Sequence, residues 1–348
     1  MKTLDISLPD KKKILDKNTD AAKKIEDDCR AKGIRILTVE DTSYPSLLLQ
    51  TVSPPLVLYY KGTVPDWNRR PCFAVVGTRA MSDYGAASAA DICFDLGRMD
   101  CITVSGMALG IDGMAAAATL EAGGTTVAVL GSGLDVIYPA AHTFLYETIL
   151  KNGGIVLSEY PPGSRPERYH FPVRNRIISG IARGIIMVEG NANSGALITA
   201  EIGLREGRAV FAVPGKIGEK NQEGALLLLK SGASAITCAD DIYDRFKDEY
   251  VGKLNGFSLL TPRKIFFKSI MAKYRITGGY AKHESALGES GYIREPAFRK
   301  TLSVASAKPS IWEKTIKMAK ELVKKDEKAT LEEATVPPCG MNDKEKLV

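Results

Sequence analysis

Histidine is scarce in this chain, and its cysteines do not cluster. The three histidines are His142, His170 and His283, and the six cysteines stand at 29, 72, 93, 101, 238 and 339. No CxxC pair and no Cys/His spacing of the kind that holds zinc occurs. No Ser/His/Asp or nucleophile–base grouping declares itself, which counts against hydrolase chemistry. Cys72, Cys93 and Cys101 fall in apolar patterns and are expected as reduced core residues. Long apolar runs are also missing, since none approaches the ~18–20 residues that span a bilayer. The opening MKTLDISLPDKKK has no apolar stretch of the kind a secretion signal carries. These absences imply a cytoplasmic, thiol-reducing setting with no membrane partner, no metal and no cofactor. Charge of one sign is not abundant either. Forty-seven basic against 41 acidic residues leave a net +6, so polyanion binding requires the positive charge to be localised.

What the chain does have is a repeated order of strand, glycine turn and helix from Cys72 to about Tyr250. The runs CFAVVG (72–77), CITVSG (101–106), TTVAVLG (125–131), GIVLSEY (154–160), GIIMVEG (184–190) and RAVFAVPG (208–215) read as strands, and ASAIT (233–237) adds a short one. Helices are expected over 82–98, 112–122 and 140–151. Runs that are apolar on both faces and alternate with helices predict an α/β fold, a parallel sheet covered on both sides. Gly77, Gly106, Gly131, Gly190 and Gly215 each follow the strand they end, at the carboxyl edge where open α/β sheets bind ligands. Three regions are expected: a short helical N-terminal region and connector over 1–70, a central domain over 71–250, and a divergent segment over 251–348 whose polar tail reads as disordered. In the connector, Pro54-Pro55 excludes a helix and LVLYYKG supplies an edge strand.

The stretch FPVRNRIISGIARGIIMVEGNANSGALIT (171–199) carries the most chemistry. Arg174, Asn175, Arg176 and Arg183 precede a buried strand, and a small-residue loop with Asn193, Ser194 and Gly195 opens the next helix. Free backbone amides and the helix dipole make such a start a phosphate site. Arg79, in the first strand-to-helix turn, aims a second guanidinium at the same edge, and Ser82 caps the helix behind it. Gly106 and Gly110 in SGMALGID permit close backbone approach, whereas Asp112 and Asp135 read as structural groups. RPERYHFPVRNR (165–176) joins Arg165, Arg168, Arg174 and Arg176 to Tyr169, His170 and Phe171; aromatic faces for bases and arginines for the backbone suit a single strand. No GxGxxG follows the first strand and no acidic residue ends the second, which makes a nicotinamide enzyme a poor match.

Seven motifs, GTRAMSDYG, SGMALGID, AVLGSGLDVIYP, LSEYPPG, FPVRNRIISG, SGALITA and VFAVPG, occur in order between about 40 and 245 and resemble the DNA processing protein A (DprA/Smf) family. The resemblance implies an extended Rossmann-like domain that binds single-stranded DNA, dimerises and loads the RecA recombinase during natural transformation, without enzymatic activity. It implies that Arg79 and Arg168 grip phosphates, that Phe171 lines a base pocket, that Arg174, Asn175 and Arg176 complete the surface, and that Asn193, Ser194 and Gly195 supply backbone donors. The chain departs from the family in three ways. Ala116 stands where a histidine is usual, the N-terminal helical region is short, and no winged-helix pattern follows the core. An alternative is a nucleotide-processing enzyme akin to nucleoside monophosphate phosphoribohydrolases. Their PGGxGTxxE pattern would need a glutamate where this chain has Ile198, although Glu189 and Glu201 stand near. A third possibility is a nucleotide sensor that keeps the pocket without DNA binding.

Overall fold

The computed structural model describes residues 19–250 and 267–276. Its centre is a nine-stranded sheet in the order β1-β2-β6-β5-β4-β3-β7-β8-β9. The strands are β1 (Arg35–Thr38), β2 (Val57–Gly62), β3 (Cys72–Val76), β4 (Ile102–Ser105), β5 (Thr125–Leu130), β6 (Ile155–Ser158), β7 (Gly184–Met187), β8 (Ala209–Ala212) and β9 (Ser234–Ala235). From β6 to β9 every pairing is parallel, while β1–β2 and β2–β6 are antiparallel.

The parallel strands are buried because both faces are covered. Along β3, Phe73 and Val75 enter one core and Cys72, Ala74 and Val76 the other, the alternation a pleated strand imposes. The first core is closed by α3 (Asp83–Arg98) and α4 (Ile111–Glu121), whose alanine-rich faces lie close to the sheet. The second is closed by α6 (His170–Ile181) and α7 (Gly195–Arg205). These follow α1 (Asp20–Ala31), α2 (Ser46–Leu49) and α5 (Thr143–Lys151) in a chain that continues to α8 (Glu223–Lys230), α9 (Asp240–Phe246) and α10 (Phe267–Tyr274). The architecture is the expected Rossmann-like one, with helices on both faces.

Two features differ from the sequence expectation in detail. LVLYYKG forms β2, which is not the outermost strand: β1 pairs beyond it, with Arg35 opposite Tyr60 and Thr38 opposite Val57. Only Leu37 of β1 is buried, so the strand has no apolar alternation to announce it. Within the segment past 250, α10 sets Ile270, Met271 and Tyr274 into the first core, and Lys273 and Tyr274 both meet Glu121 on α4. The rest of 251–348, including the tail, lies outside the described residues, as do residues 1–18.

The connector is sewn onto the second core by polar bonds. Tyr44 Oη donates to the Pro55 carbonyl (2.7 Å), Trp67 Nε1 to Ser43 (2.8 Å) and Arg208 to Leu47 (2.8 Å). Cys72, Cys93 and Cys101 are buried thiols, and burial pushes Cys101 up to about 12. No helix among the described residues is long and apolar enough to cross a membrane.

Candidate nucleic-acid interface

The sheet has one topological switch. The chain builds outward from β3 through β4, β5 and β6, then returns to lay β7 on the other side of β3. The helix after β3 packs on the first core and the helix after β7 on the second, so the two turns diverge and leave a crevice at the carboxyl edge. A cleft of about 630 Å³ occupies it, lined among others by Arg79, Tyr138, Arg168, Phe171 and Ser194.

Helix α6 sets the residues at its back. The repeat places Phe171, Arg174, Asn175 and Ile178 on one face, at i, i+3, i+4 and i+7, and all four line the cleft. Phe171 is half-buried, tilted against Tyr138 with centroids 5.5 Å apart, and the Arg79 guanidinium stands 5.7 Å from its centroid. Arg79 and Arg168 are exposed, and neither has a carboxylate partner among the described residues. At the far wall Ser194 caps α7, its Oγ accepting from Leu197 N (3.2 Å). Among the described residues the amides of Gly195 and Ala196 have no acceptor, as expected for the first turn of a helix.

Arg174 stands apart from the other arginines. It is 5% exposed, and its Nη1 donates to the Gly106 carbonyl (2.9 Å) and to that of Val129. Burial pulls its guanidinium down to about 10, with Asp112 opposing, so it stays charged near neutrality. Asp112 is buried opposite, and its Oδ2 accepts from Gly106 N (2.9 Å). Burial pushes this carboxyl up, against the pull of Arg174 and the amides. Arg174 and Asp112 thus fix the 105–112 loop, in which Gly106 has no Cβ because one would lie 2.3 Å from Nη1. Gly110 adopts φ +77°, and a Cβ there would meet the Thr78 carbonyl at 2.3 Å.

The remaining expected residues fall as follows. Asn175 is 8% exposed and donates from Nδ2 to the Gly195 carbonyl (3.3 Å), tying α6 to the start of α7. Gly77 lines the cleft; Gly190 sits under Ser194, whose Oγ a Cβ would approach to 2.6 Å. Arg176 points away and pairs with Glu159 (2.6 Å). Arg183 precedes β7 at the amino edge and pairs with Glu249 (2.7 Å). Asn193 is exposed beside the cleft, its amide donating to Asn191 Oδ1 (2.9 Å). Tyr138 and Asn191 also line the cleft, and neither is among the candidates above; the NxNS spacing is the available signal for Asn191.

Two groups bear on the alternatives. Glu189 is fully buried and accepts from Ser82 N (2.9 Å), Ser82 Oγ and Gln222 Nε2 (2.9 Å). It holds the cap of α3 and does not face the cleft, where Ile198 occupies the helical position at issue. At Ala116 the helix is buried and carries no imidazole. The buried imidazole nearby is that of His142, whose Cε1 would stand 2.6 Å from a Cβ on Gly113, three residues earlier on α4.

His142 Nδ1 lies 3.1 Å from the Met107 carbonyl, Nε2 has no partner among the described residues, and burial holds the ring below its ordinary pKa of 6.5. A depressed folded-state pKa means that the unfolded chain takes up the proton first. This contribution to stability is intact above 6.5 and is lost as pH falls toward the folded value. The urea midpoint is expected to drop from about pH 7 to about pH 5, and to drop less in His142→Asn, whose amide keeps a donor toward Met107. An equal drop in both proteins would locate the acid sensitivity elsewhere.

An open α/β sheet with arginines, an aromatic face and a capped helix start converging on its switch point is a Rossmann-like fold with the groups an anion site needs at its ligand edge. The family model described as DNA recombination-mediator protein A matches residues 35–247. DNA processing protein DprA of Bacillus subtilis is 39% identical over 222 residues, 64% of this chain and 74% of that protein. The X-ray structure of DNA processing protein A from Streptococcus pneumoniae superposes with a TM-score of 0.59 at 39% identity, covering 66% of this chain and 83% of that one. DNA processing protein A from Helicobacter pylori, whose structure describes its single-stranded DNA binding mode, gives a TM-score of 0.55 at 25% identity, covering 62% and 97%. The chain belongs to the DprA/Smf family of DNA processing proteins.

Proposed function

We propose that this chain binds single-stranded DNA along the switch-point cleft and acts as a recombination mediator rather than as an enzyme. The observation that carries the reading is a pair of exposed guanidinium groups, Arg79 and Arg168, without a carboxylate partner among the described residues, lining one cleft with the half-buried ring of Phe171, over which Arg79 stands. Guanidinium forks suit phosphate oxygens, an aromatic ring suits an unstacked base, and the free amides at the start of α7 add donors for a further phosphate. Among the described residues the single carboxylate lining the cleft is Asp112, which is buried and pulled down by the Arg174 charge. The family supplies the rest of the proposal: RecA recombinase as the partner onto which the strand is passed, a homodimer as the assembly, and the cytoplasm as the setting. The distribution of carboxylates favours binding over nucleotide hydrolysis, since Glu189 is consumed inside the fold and Ile198 faces the cleft.

The test is a salt-series titration with labelled oligo-dT, with duplex of equal length beside it. Affinity for the single strand is expected to dominate and to fall steeply with salt as counterions are released. Phe171→Ala should weaken binding by about 1–3 kcal/mol with the slope unchanged, because a stacking surface is lost and no charge. Equal affinity for duplex and single strand, or an unaltered Phe171→Ala, would sink the reading.

A further inference from the structure

A second pocket, of about 480 Å³, opens at the same sheet edge on the other side of the β3–α3 turn. Its walls come from Ser82, Asp83 and Tyr84 at the start of α3 and from Pro214, Gly215 and Lys216 after β8, and Gln222 lines its floor. The Tyr84 ring is half exposed and is pinned, since its hydroxyl donates to the Pro214 carbonyl at 2.5 Å. Lys216 stands at the rim with its side chain 85% exposed and only a loose contact to Glu219, 3.6 Å away. Beside it Ile217 is 94% exposed at the tip of the loop. Gln222 is buried, and its Nε2 is committed to Glu189 at 2.9 Å, which fixes the amide orientation. Its Oε1 is a buried acceptor in the lining of the pocket, with no donor among the described residues.

A flat aromatic face, an acceptor-rich interior and a cation at the mouth match one kind of guest. Phosphate is repelled by Asp83 and Glu219 in the walls but is drawn to Lys216 at the rim. A heteroaromatic ring with N–H donors can lie on Tyr84 and donate inward to the acceptors. We infer that this pocket takes a nucleobase bearing an exocyclic amino group, from the same single strand whose phosphates lie in the neighbouring cleft. The inference rests on the DNA-binding reading above. Both sites are built on one turn: Ser82 follows Arg79 by three residues, at most about 10 Å of extended chain. The partition between them is rigid, with Asn221 Nδ2 donating to the Ala80 carbonyl (2.9 Å) and Gly190 N to the Asn221 carbonyl (2.6 Å). Neighbouring nucleotides of one strand can therefore occupy both sites at once.

The experiment titrates the full chain, and its Tyr84→Ala, Tyr84→Phe and Lys216→Ala variants, with labelled oligo-dC and oligo-dT over a salt series. Wild type should prefer oligo-dC. Tyr84→Ala should lose about tenfold in affinity for oligo-dC, and with it the preference, at an unchanged salt slope. Tyr84→Phe should keep both, and Lys216→Ala should lower the slope by about one. If Tyr84→Ala proves unfolded by circular dichroism, Lys216→Ala and the base preference decide. Wild-type binding with no base preference and with Lys216→Ala unchanged would overturn this inference alone, and would leave the pocket to a cationic side chain of a protein partner. Failure of the wild type to bind either oligonucleotide would overturn the DNA-binding reading and this inference together.

Discussion

Arg174→Ala is expected to cost about 2–6 kcal/mol of folding stability, because two buried carbonyls lose their donor at about 1–3 kcal/mol each. The guanidinium is 5% exposed and bridges the carbonyls of Gly106 and Val129, at the ends of β4 and β5. Alanine leaves both carbonyls without this donor and removes a nearby positive charge that pulls the buried Asp112 carboxyl down. The expected shift in melting temperature is on the order of 10 °C. Its pH dependence identifies the cause. Burial already raises the Asp112 carboxyl, and loss of Arg174 raises it further. A carboxyl whose folded pKa lies above its unfolded one costs stability as pH rises through the folded value, so the deficit of the variant should be smaller at about pH 5 than at about pH 8. Asp112→Asn introduced beside Arg174→Ala should recover part of the loss, and a double-mutant cycle measures the coupling. A variant as stable as wild type but unable to bind DNA would instead make Arg174 a direct ligand contact.

That distinction separates four arginines that the sequence alone treats alike. Arg79, Arg168, Arg174 and Arg176 were all candidates because each is a cation near a glycine turn at the ligand edge. What divides them is burial and partnership, which depend on groups distant in the chain: Gly106 and Val129 for Arg174, Glu159 for Arg176. Part of the division was available locally. With 170–181 read as a helix, the period sets Phe171, Arg174 and Asn175 together and turns Arg176 away. None of the expected helices covers 170–181, where Pro172 stands near the start, yet proline is tolerated in a first helical turn, where its missing N–H has no partner to lose.

The sheet was legible for a simpler reason. Strands covered on both faces are apolar throughout, and each central one ends in a glycine, so 72–77, 125–131 and 184–190 could be placed from pattern alone. Strand β1 could not, with a single buried residue in four. Glu189 shows the opposite failure. Its position after a strand at the ligand edge left it open as a reacting carboxylate, whereas it is a fully buried anchor for Ser82 and Gln222. Gly85 makes room for it, since a Cβ there would lie 2.2 Å from the carboxyl carbon. A short-range pattern locates the edge of the sheet, but it does not say which way a side chain at that edge turns.

Reversing both exposed arginines, Arg79→Glu with Arg168→Glu, should lower affinity for oligo-dT at least a hundredfold. Each charge-assisted bond to phosphate contributes about 1.5–3 kcal/mol, and the introduced carboxylates add repulsion. The slope of log affinity against log salt should fall by about two, one for each phosphate released. Stability should change by no more than about 0.5 kcal/mol, because neither guanidinium is buried or paired with a carboxylate among the described residues. The control carries the same change of net charge elsewhere: Arg30→Glu with Arg69→Glu, at side chains 73% and 80% exposed and away from the cleft. It should bind nearly as wild type does, since exposed charges more than about 10 Å apart are largely screened at moderate salt. If the control weakened binding as much as the cleft variant, the effect would belong to net charge, and the switch-point cleft would lose its claim to the strand. A nucleotide sensor without DNA binding would show a third pattern: no affinity for oligo-dT in any of the proteins, and partner contacts indifferent to Arg79 and Arg168.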